Sequence, residues 1–314
     1  MTSLLRKIRT VARMVVDGRS GHLRGRLRYN QLLFRIWFHR GRPFTYRRDG
    51  IRYVCFPDNP DSRIVASSDF TDAIELNLLR KWLAPGDAFL DVGANLGTYA
   101  FAAAQFVGPH GRVVAVDAGE TVSQMLTDAA RRLGHSHLET VSCAVGAAEG
   151  TTTFFEGMSE GTSFIQSLNP TRPAGSVFRE RTVALLSLRT LAERHLPVMP
   201  AAVKLDIEGA EGDALDAAPQ AWLAADGPLW LVEINPTALK TFHRSPGEIA
   251  ERFPAGAFDR WLLPKELHHQ HGEGRLRPFT SAELWSDSTY YNFLALPRAS
   301  RFADRFARIR PLLG

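Results

Sequence analysis

No stretch of the chain approaches the ~18 uninterrupted apolar residues that a membrane-spanning helix requires. The N-terminus is basic, but Arg9 and Arg13 interrupt any apolar run there, so a cleaved signal peptide is not expected. Cysteine is scarce. Cys55 and Cys143 stand in unrelated contexts, which excludes a disulfide framework or a CxxC metal pair and points to a reducing cytoplasm. Internal repeats and low-complexity linkers are missing too. So are two common Gly-rich phosphate cradles: neither GxGxxG nor GxxxxGK[ST] follows the strand where it would be needed.

What is present is a chain of 314 residues with 45% hydrophobic content, ample for one large core and a smaller appendage. Its charge is uneven. Residues 1–49 hold thirteen Lys or Arg against Asp17 and Asp49, a net of +11; the whole chain is +5, so residues 50–314 carry −6. Leu4, Ile8, Val11 and Val15 recur at helical spacing among arginines and a lysine, which predicts a short basic amphipathic helix. Three readings of this arm stand: a helix packed on the body, a nucleic-acid contact, or an interfacial helix on anionic lipid through residues 1–40. The negative body argues against a long nucleic-acid track, so no nucleic acid is expected. The arm (1–49), a body (50–297) and a basic C-terminal helix or tail (298–314) are the expected divisions.

Within the body, strand and helix alternate. FLDV, RVVAVDA, LETVSCAV, VKLDI and LWLVEI are apolar strand candidates, with helical patterns after the first, second and fourth. EGTTTFFEG and TVALLSL are shorter extended pieces around a polar loop. Buried strands alternating with helices predict an α/β domain on a largely parallel sheet. In such sheets ligands bind beyond the carboxyl ends of the strands. Asp91, Asp117, Asp206 and Glu233 fall at four such ends, which is the most informative feature of the chain. Between the first two lies DVGANLG, with small residues at alternate positions where backbone must approach something closely.

The acid–x–G–x–N–x–G pattern at Asp91–Gly97 resembles motif I of class I S-adenosylmethionine-dependent methyltransferases. KLDIEGAE (204–211), LWLVEINP (229–236), the Pro85–Asp87 lead-in, the polar GTSFIQSL loop (161–168) and YYNFLALP with Asn292 extend the resemblance to the FkbM methyltransferase family, over about residues 70 to 297. The resemblance implies a Rossmann-like, doubly wound, mostly parallel seven-stranded sheet behind the basic N-terminal extension. It also implies methyl transfer from S-adenosylmethionine, typically to a hydroxyl of a sugar, glycolipid or polyketide. By position, Asp91, Gly93, Ala94, Asn95, Gly97 and Thr98 would hold the methionine half of the cofactor and Asp117 the ribose. Ser142, Cys143 and Ala144 would flank the adenine, and Asp206 would lie beside the sulfonium.

Two positions depart from the family's habit. Leu188-Arg189 replaces a frequent Leu-Asp, and Asn235 stands where many members carry His. A hydroxyl acceptor profits from a base, for which Asp206 is the first candidate and Glu233 the second. Glu208 reads as a helix cap, Glu211 as a solvated first-turn acid, and Lys204 as a residue snorkelling from a strand end. The HHQH cluster at His268–His271 reads as surface polarity, so no metal is expected. The other readings are methylation of nitrogen or a carboxylate, and a non-catalytic, membrane-associated glycan-binding module. The expected location is the cytoplasm, with the inner membrane face as the site of any peripheral contact.

Overall fold

The computed structural model describes residues 41–67, 72–157, 164–165, 178–264, 276–279 and 291–313. The amphipathic segment 4–15, most of the polar loop 161–168 and the HHQH cluster lie outside the described residues.

A hairpin of β1 (Phe44–Arg48) and β2 (Ile51–Cys55) comes first. Helices α1 (Pro60–Ser67) and α2 (Ala73–Trp82) follow. The chain then alternates through β3 (Ala88–Val92), α3 (Thr98–Val107), β4 (Arg112–Asp117), α4 (Glu120–Leu133) and β5 (Leu138–Ser142). Next come four short or hairpin strands, β6 (Ala144–Val145), β7 (Gly150–Gly157), β8 (Phe164–Ile165) and β9 (Phe178–Leu186). The chain returns through α5 (Leu188–His195), β10 (Ala202–Leu205), α6 (Glu211–Asp216), β11 (Leu229–Ile234), α7 (Pro236–Thr241) and α8 (Pro246–Glu251). It closes with β12 (Phe258–Pro264), β13 (Arg277–Pro278), β14 (Tyr291–Pro297) and α9 (Ala303–Ile309).

The main sheet has the order β13-β12-β14-β11-β10-β3-β4-β5. It holds eight strands where seven were expected. The eighth, β13, is two residues long and pairs with the edge strand β12 through Trp261 and Leu262. Strands β5, β4, β3, β10 and β11 are mutually parallel, and β14 runs against β11. A second sheet, β6-β9-β7-β8, was not foreseen as a separate unit. LETVSCAV, read as one strand, divides at Cys143: β5 pairs with β4 in the main sheet, and β6 pairs with β9 in the second.

Each central strand is buried on both faces, as a sheet covered on both sides requires. Phe89, Ala115, Leu231 and Leu294 pack on one face with residues of α2, α3 and the β1–β2 hairpin. Leu90, Val116, Leu205, Val232 and Phe293 pack on the other with residues of α5, α6, α7 and α8. The chain passes outward from β3 through β4 to β5, then returns to β10 on the opposite side of β3. The strand order therefore reverses between β3 and β10, and a crevice opens beyond their carboxyl ends.

Part of the basic C-terminal stretch is used in packing. The rings of Phe302 and Phe306 lie 5.3 and 5.6 Å from that of Trp82. The Arg305 guanidinium donates to both oxygens of Asp87 at 2.6 and 2.9 Å, and to the Trp82 carbonyl at 3.1 Å. Asp87 also accepts from the Ala84 amide at 2.8 Å, so one carboxylate ties the turn before β3 to α9. Such bidentate pairs are among the stronger hydrogen bonds. Asp87→Asn is expected to lower the unfolding free energy by about 1–2 kcal/mol, measured by urea denaturation; an unchanged midpoint would show that α9 is held by its rings alone.

Candidate active site

The face of the sheet that packs on α2 and α3 changes character at one edge. Successive positions on a face are two residues apart. Along β4 they run Val113, Ala115, Asp117; along β10, Ala202, Lys204, Asp206; along β11, Leu229, Leu231, Glu233. In β3, Phe89 is followed by Asp91. Register aligns Asp91 with Lys204, and Glu233 with Asn292 at the start of the antiparallel β14. Apolar side chains thus give way to a polar row where the parallel strands end.

The glycine positions of DVGANLG are dictated by neighbours within the protein. A Cβ on Gly93 would lie 1.7 Å from the Asp206 carbonyl oxygen, and φ there is 81°. The two strand ends cross so closely at the reversal point that only hydrogen fits. At Gly97 a Cβ would meet the Phe101 ring at 2.4 Å. The loop is fastened by its amides: Gly93 and Ala94 both donate to the Val116 carbonyl at 2.9 Å, and Asn95 donates to Asp117 Oδ2 at 2.9 Å. Gly97 then precedes α3, which begins at Thr98.

Asp91 is buried, with the Ala100 amide turned toward its carboxyl and no side chain bonded to it. Burial, against the pull of the Lys204 charge, pushes its carboxyl up to about 7. Lys204 is 2% exposed. Its ammonium donates to Asp206 Oδ2 at 3.0 Å and lies 5.4 Å from the centre of the Tyr99 ring. This lysine does not snorkel. Burial favours its neutral form, but Asp206, Glu233 and Asp91 outweigh that and hold it protonated. The Asp206 amide donates to the Val92 carbonyl at 3.0 Å, and its carboxyl shares a hydrogen bond with Glu233. Burial first, then the Asp206 charge, raises the proton affinity of Glu233 well above the carboxylate range, with Lys204 opposing.

Asp117, partly buried, ends β4 in register with Ser142. Its oxygens accept from the Asn95 amide and, at 2.8 Å, from the Gly119 amide. Burial lifts its carboxyl to about 6, against those two donors. Of the three residues expected around an adenine, Ser142 alone is exposed. Cys143 and Ala144 are buried, and the Cys143 thiol packs in the core of the opposite face. The sequence reading missed Glu156, on β7 of the second sheet. It is 6% exposed and accepts from the Thr121 amide at 3.0 Å and from Arg181 Nε at 3.2 Å, close beside Asp117. It also missed Glu75, on α2, whose Oε1 accepts from Asn292 Nδ2 at 2.6 Å. Neither carries a local motif; only the crossing of distant elements brings them here.

The segment after β10 corrects two expectations. Glu211 is 2% exposed instead of solvated, and its Oε1 accepts from the Ile207 and Gly209 amides at 2.9 and 3.2 Å. Glu208 caps no helix, since α6 begins at Glu211 after Ala210. It is exposed, has φ 54° and bonds the Asn235 side chain. Asn235, where many family members carry His, caps α7: its Oδ1 accepts from the Thr237 and Ala238 amides at 3.1 and 3.2 Å. Arg189 is exposed on α5.

These groups fit S-adenosylmethionine. Asp91 is a buried carboxyl met within the protein by the Ala100 amide and by no side-chain donor, so it keeps lone pairs for another, and the cofactor offers an ammonium. Asp117 retains lone pairs for ribose hydroxyls, and the row from Asp91 to Glu233 suits a sulfonium. Asp117→Ala is expected to cost about 1–3 kcal/mol of S-adenosylhomocysteine affinity in calorimetry. Tight binding of NAD instead would contradict the assignment.

The FkbM methyltransferase domain matches this chain over residues 91–259, more than half of its 314 residues. No curated protein sequence matches. Several solved structures are similar. A methyltransferase FkbM from Methylobacillus flagellatus is 15% identical with a TM-score of 0.39, the match covering 67% of this chain and 44% of that one. An S-adenosylmethionine-dependent O-methyltransferase from Thermotoga maritima is 13% identical over 81% of this chain and 77% of its own, with a TM-score of 0.37. An rRNA methylase from Streptococcus thermophilus is 11% identical over 71% and 93%, with a TM-score of 0.38. The family match decides the matter: the chain belongs to the FkbM methyltransferase family and is an enzyme that uses S-adenosylmethionine as methyl donor.

Proposed function

We propose that the methyl acceptor is a hydroxyl oxygen of a saccharide, glycolipid or polyketide-type alcohol. The observation that carries this reading is the Asp206–Glu233 carboxyl pair at the strand ends beside the reversal point. An alcohol must lose its proton as it attacks, and a base works best when its proton affinity matches the working pH. Glu233, raised by burial and by Asp206, is a stronger base than a lone exposed carboxylate. Bound S-adenosylmethionine supplies an electrophilic methyl whose carbon–sulfur bond electrons return to sulfur. Glu233 takes the acceptor proton as the new oxygen–carbon bond forms, with Asp206 bonded beside it. Asp91, Gly93, Ala94, Asn95, Gly97, Thr98 and Asp117 hold the donor, and positioning donor and acceptor in line provides much of the rate. The catalytic unit comprises residues 50–297, and the net −6 of residues 50–314 disfavours a nucleic-acid acceptor.

The test is transfer of labelled methyl to panels of sugars, alcohols, amines, carboxylates and RNA. Product on an amine or RNA alone would replace the hydroxyl reading, and cofactor binding without turnover on any acceptor would favour the binding-module reading. Glu233→Gln is expected to reduce kcat by about 10²–10⁴-fold with the fold retained.

The active form has Glu233 deprotonated, so turnover should rise with pH through a midpoint above the ordinary carboxylate range. Asp206→Asn removes the neighbouring charge that raises Glu233, so the limb should move to lower pH. A pH profile that stays in place in Asp206→Asn would separate the two carboxyls.

The +11 of residues 1–49 and the apolar line Leu4, Ile8, Val11 and Val15 also support reversible docking on an anionic bilayer. Deleting residues 1–40 should abolish sedimentation with phosphatidylserine vesicles at low salt and leave activity on a soluble acceptor intact. A full-length protein that ignores such vesicles would contradict this.

A further inference from the structure

The sheet buries an ammonium in the middle of its acidic row. Lys204 is 2% exposed, yet three strands bring carboxyls to it: Asp91 from β3, Asp206 from the end of its own β10, and Glu233 from β11. Its one hydrogen-bonded partner in that set is Asp206, at 3.0 Å. The Tyr99 ring of α3 lies beside it, its centre 5.4 Å from the ammonium. Glu75 of α2, Asp72 before it and Glu208 after β10 add negative charge around the Tyr99 hydroxyl and Glu233. Lys204 is the cation bonded to the pair, and its geometry is asymmetric: it bonds Asp206, while Glu233 bonds Asp206 from the other strand.

We propose that Lys204 is a positioning residue for methyl transfer, which pins Asp206 as the ionised member of the carboxyl pair and so leaves Glu233 as the member that carries and exchanges the proton. The inference rests on the reading of Glu233 as the base. It adds a cause for the division of roles, since the two carboxyls otherwise occupy adjacent positions on neighbouring strands. Without a cation on one side, two carboxyls that share a proton have no fixed assignment. Pinning one of them also keeps the second proton from being held too tightly, because an opposite charge within a few ångströms favours the ionised pair.

The test needs no acceptor. The full chain, saturated with S-adenosylhomocysteine, is labelled with ¹³C at Asp and Glu carboxyl carbons and titrated by NMR, with Asp206→Asn and Glu233→Gln assigning the two resonances. In the unsubstituted chain the Glu233 resonance is expected to move above the ordinary carboxylate range, and after that of the Lys204-bonded Asp206. In Lys204→Met the Glu233 midpoint should rise by about one pH unit or more, and Lys204→Arg should restore it. A folded Lys204→Met protein with an unmoved midpoint would overturn the proposal, because a lysine that merely fills space cannot fix that titration. If Lys204→Met does not fold, the unsubstituted chain decides. Concurrent titration of Asp206 and Glu233, or Glu233 ionising first, would overturn the assignment, and the ordered titration would support it. Failure of the hydroxyl reading would appear separately, as missing product on the alcohol panel with these titrations unchanged.

Discussion

One buried ammonium organises the catalytic edge. Lys204 stands where β3, β10 and β11 lie side by side, and its charge allows Asp91, Asp206 and Glu233 to occupy one row in a place with little water. An isolated charge buried at such depth would neutralise itself. Here the cation and the carboxyls stabilise one another, and breaking a buried pair by removing one member costs several kcal/mol because the other is left uncompensated. Two of the partners remain only partly satisfied. Asp91 meets the Ala100 amide and the Lys204 charge but no side-chain donor, and Glu233 bonds another carboxyl. That surplus of negative charge is a property of the protein alone, and it makes the crevice receptive to a cationic methyl donor.

The loops around this row are held by side chains that reach their backbone amides. Asp117 fastens Asn95 and Gly119, Glu156 fastens Thr121, and Glu211 fastens Ile207 and Gly209. Each carboxylate satisfies donors that no helix or strand uses. The acids at this edge are therefore divided between scaffolding and chemistry. Glu211 belongs to the first group, Glu233 as the proposed base to the second, and Asp117 can serve both because each oxygen keeps a free lone pair. The same division explains Asn235. Its oxygen caps α7 and its amide reaches Glu208, so where many relatives carry a histidine this chain has a loop fastener.

Much of the architecture was legible along the chain. Hydrophobic runs and their separations marked β3, β4, β5, β10 and β11, and four acids at strand ends located the functional edge. What failed were readings that needed a third dimension. Glu211, placed on a helix's first turn, looked solvated, yet the fold turns it inward onto its own loop. Lys204 looked able to reach solvent, yet α3 lays Tyr99 across it. LETVSCAV looked continuous, yet the backbone leaves the main sheet at Cys143. The eighth strand, two residues at an edge, carries no pattern long enough to detect.

The sequence by itself determined the family, the parallel order of layers and the glycine-bearing turn, because local alternation and fixed spacing are written in consecutive residues. The tertiary structure decided why Gly93 must be glycine, since the Asp206 carbonyl that crowds it lies more than a hundred residues away in the chain. It also decided that Asp206 and Glu233 share a hydrogen bond, that Lys204 bonds the first of them, and that Glu75 and Glu156 join the site. Charges interact through distance and burial, not through order along the chain. Which acids stay ionised, and which keep a proton, is fixed only when the strands lie side by side.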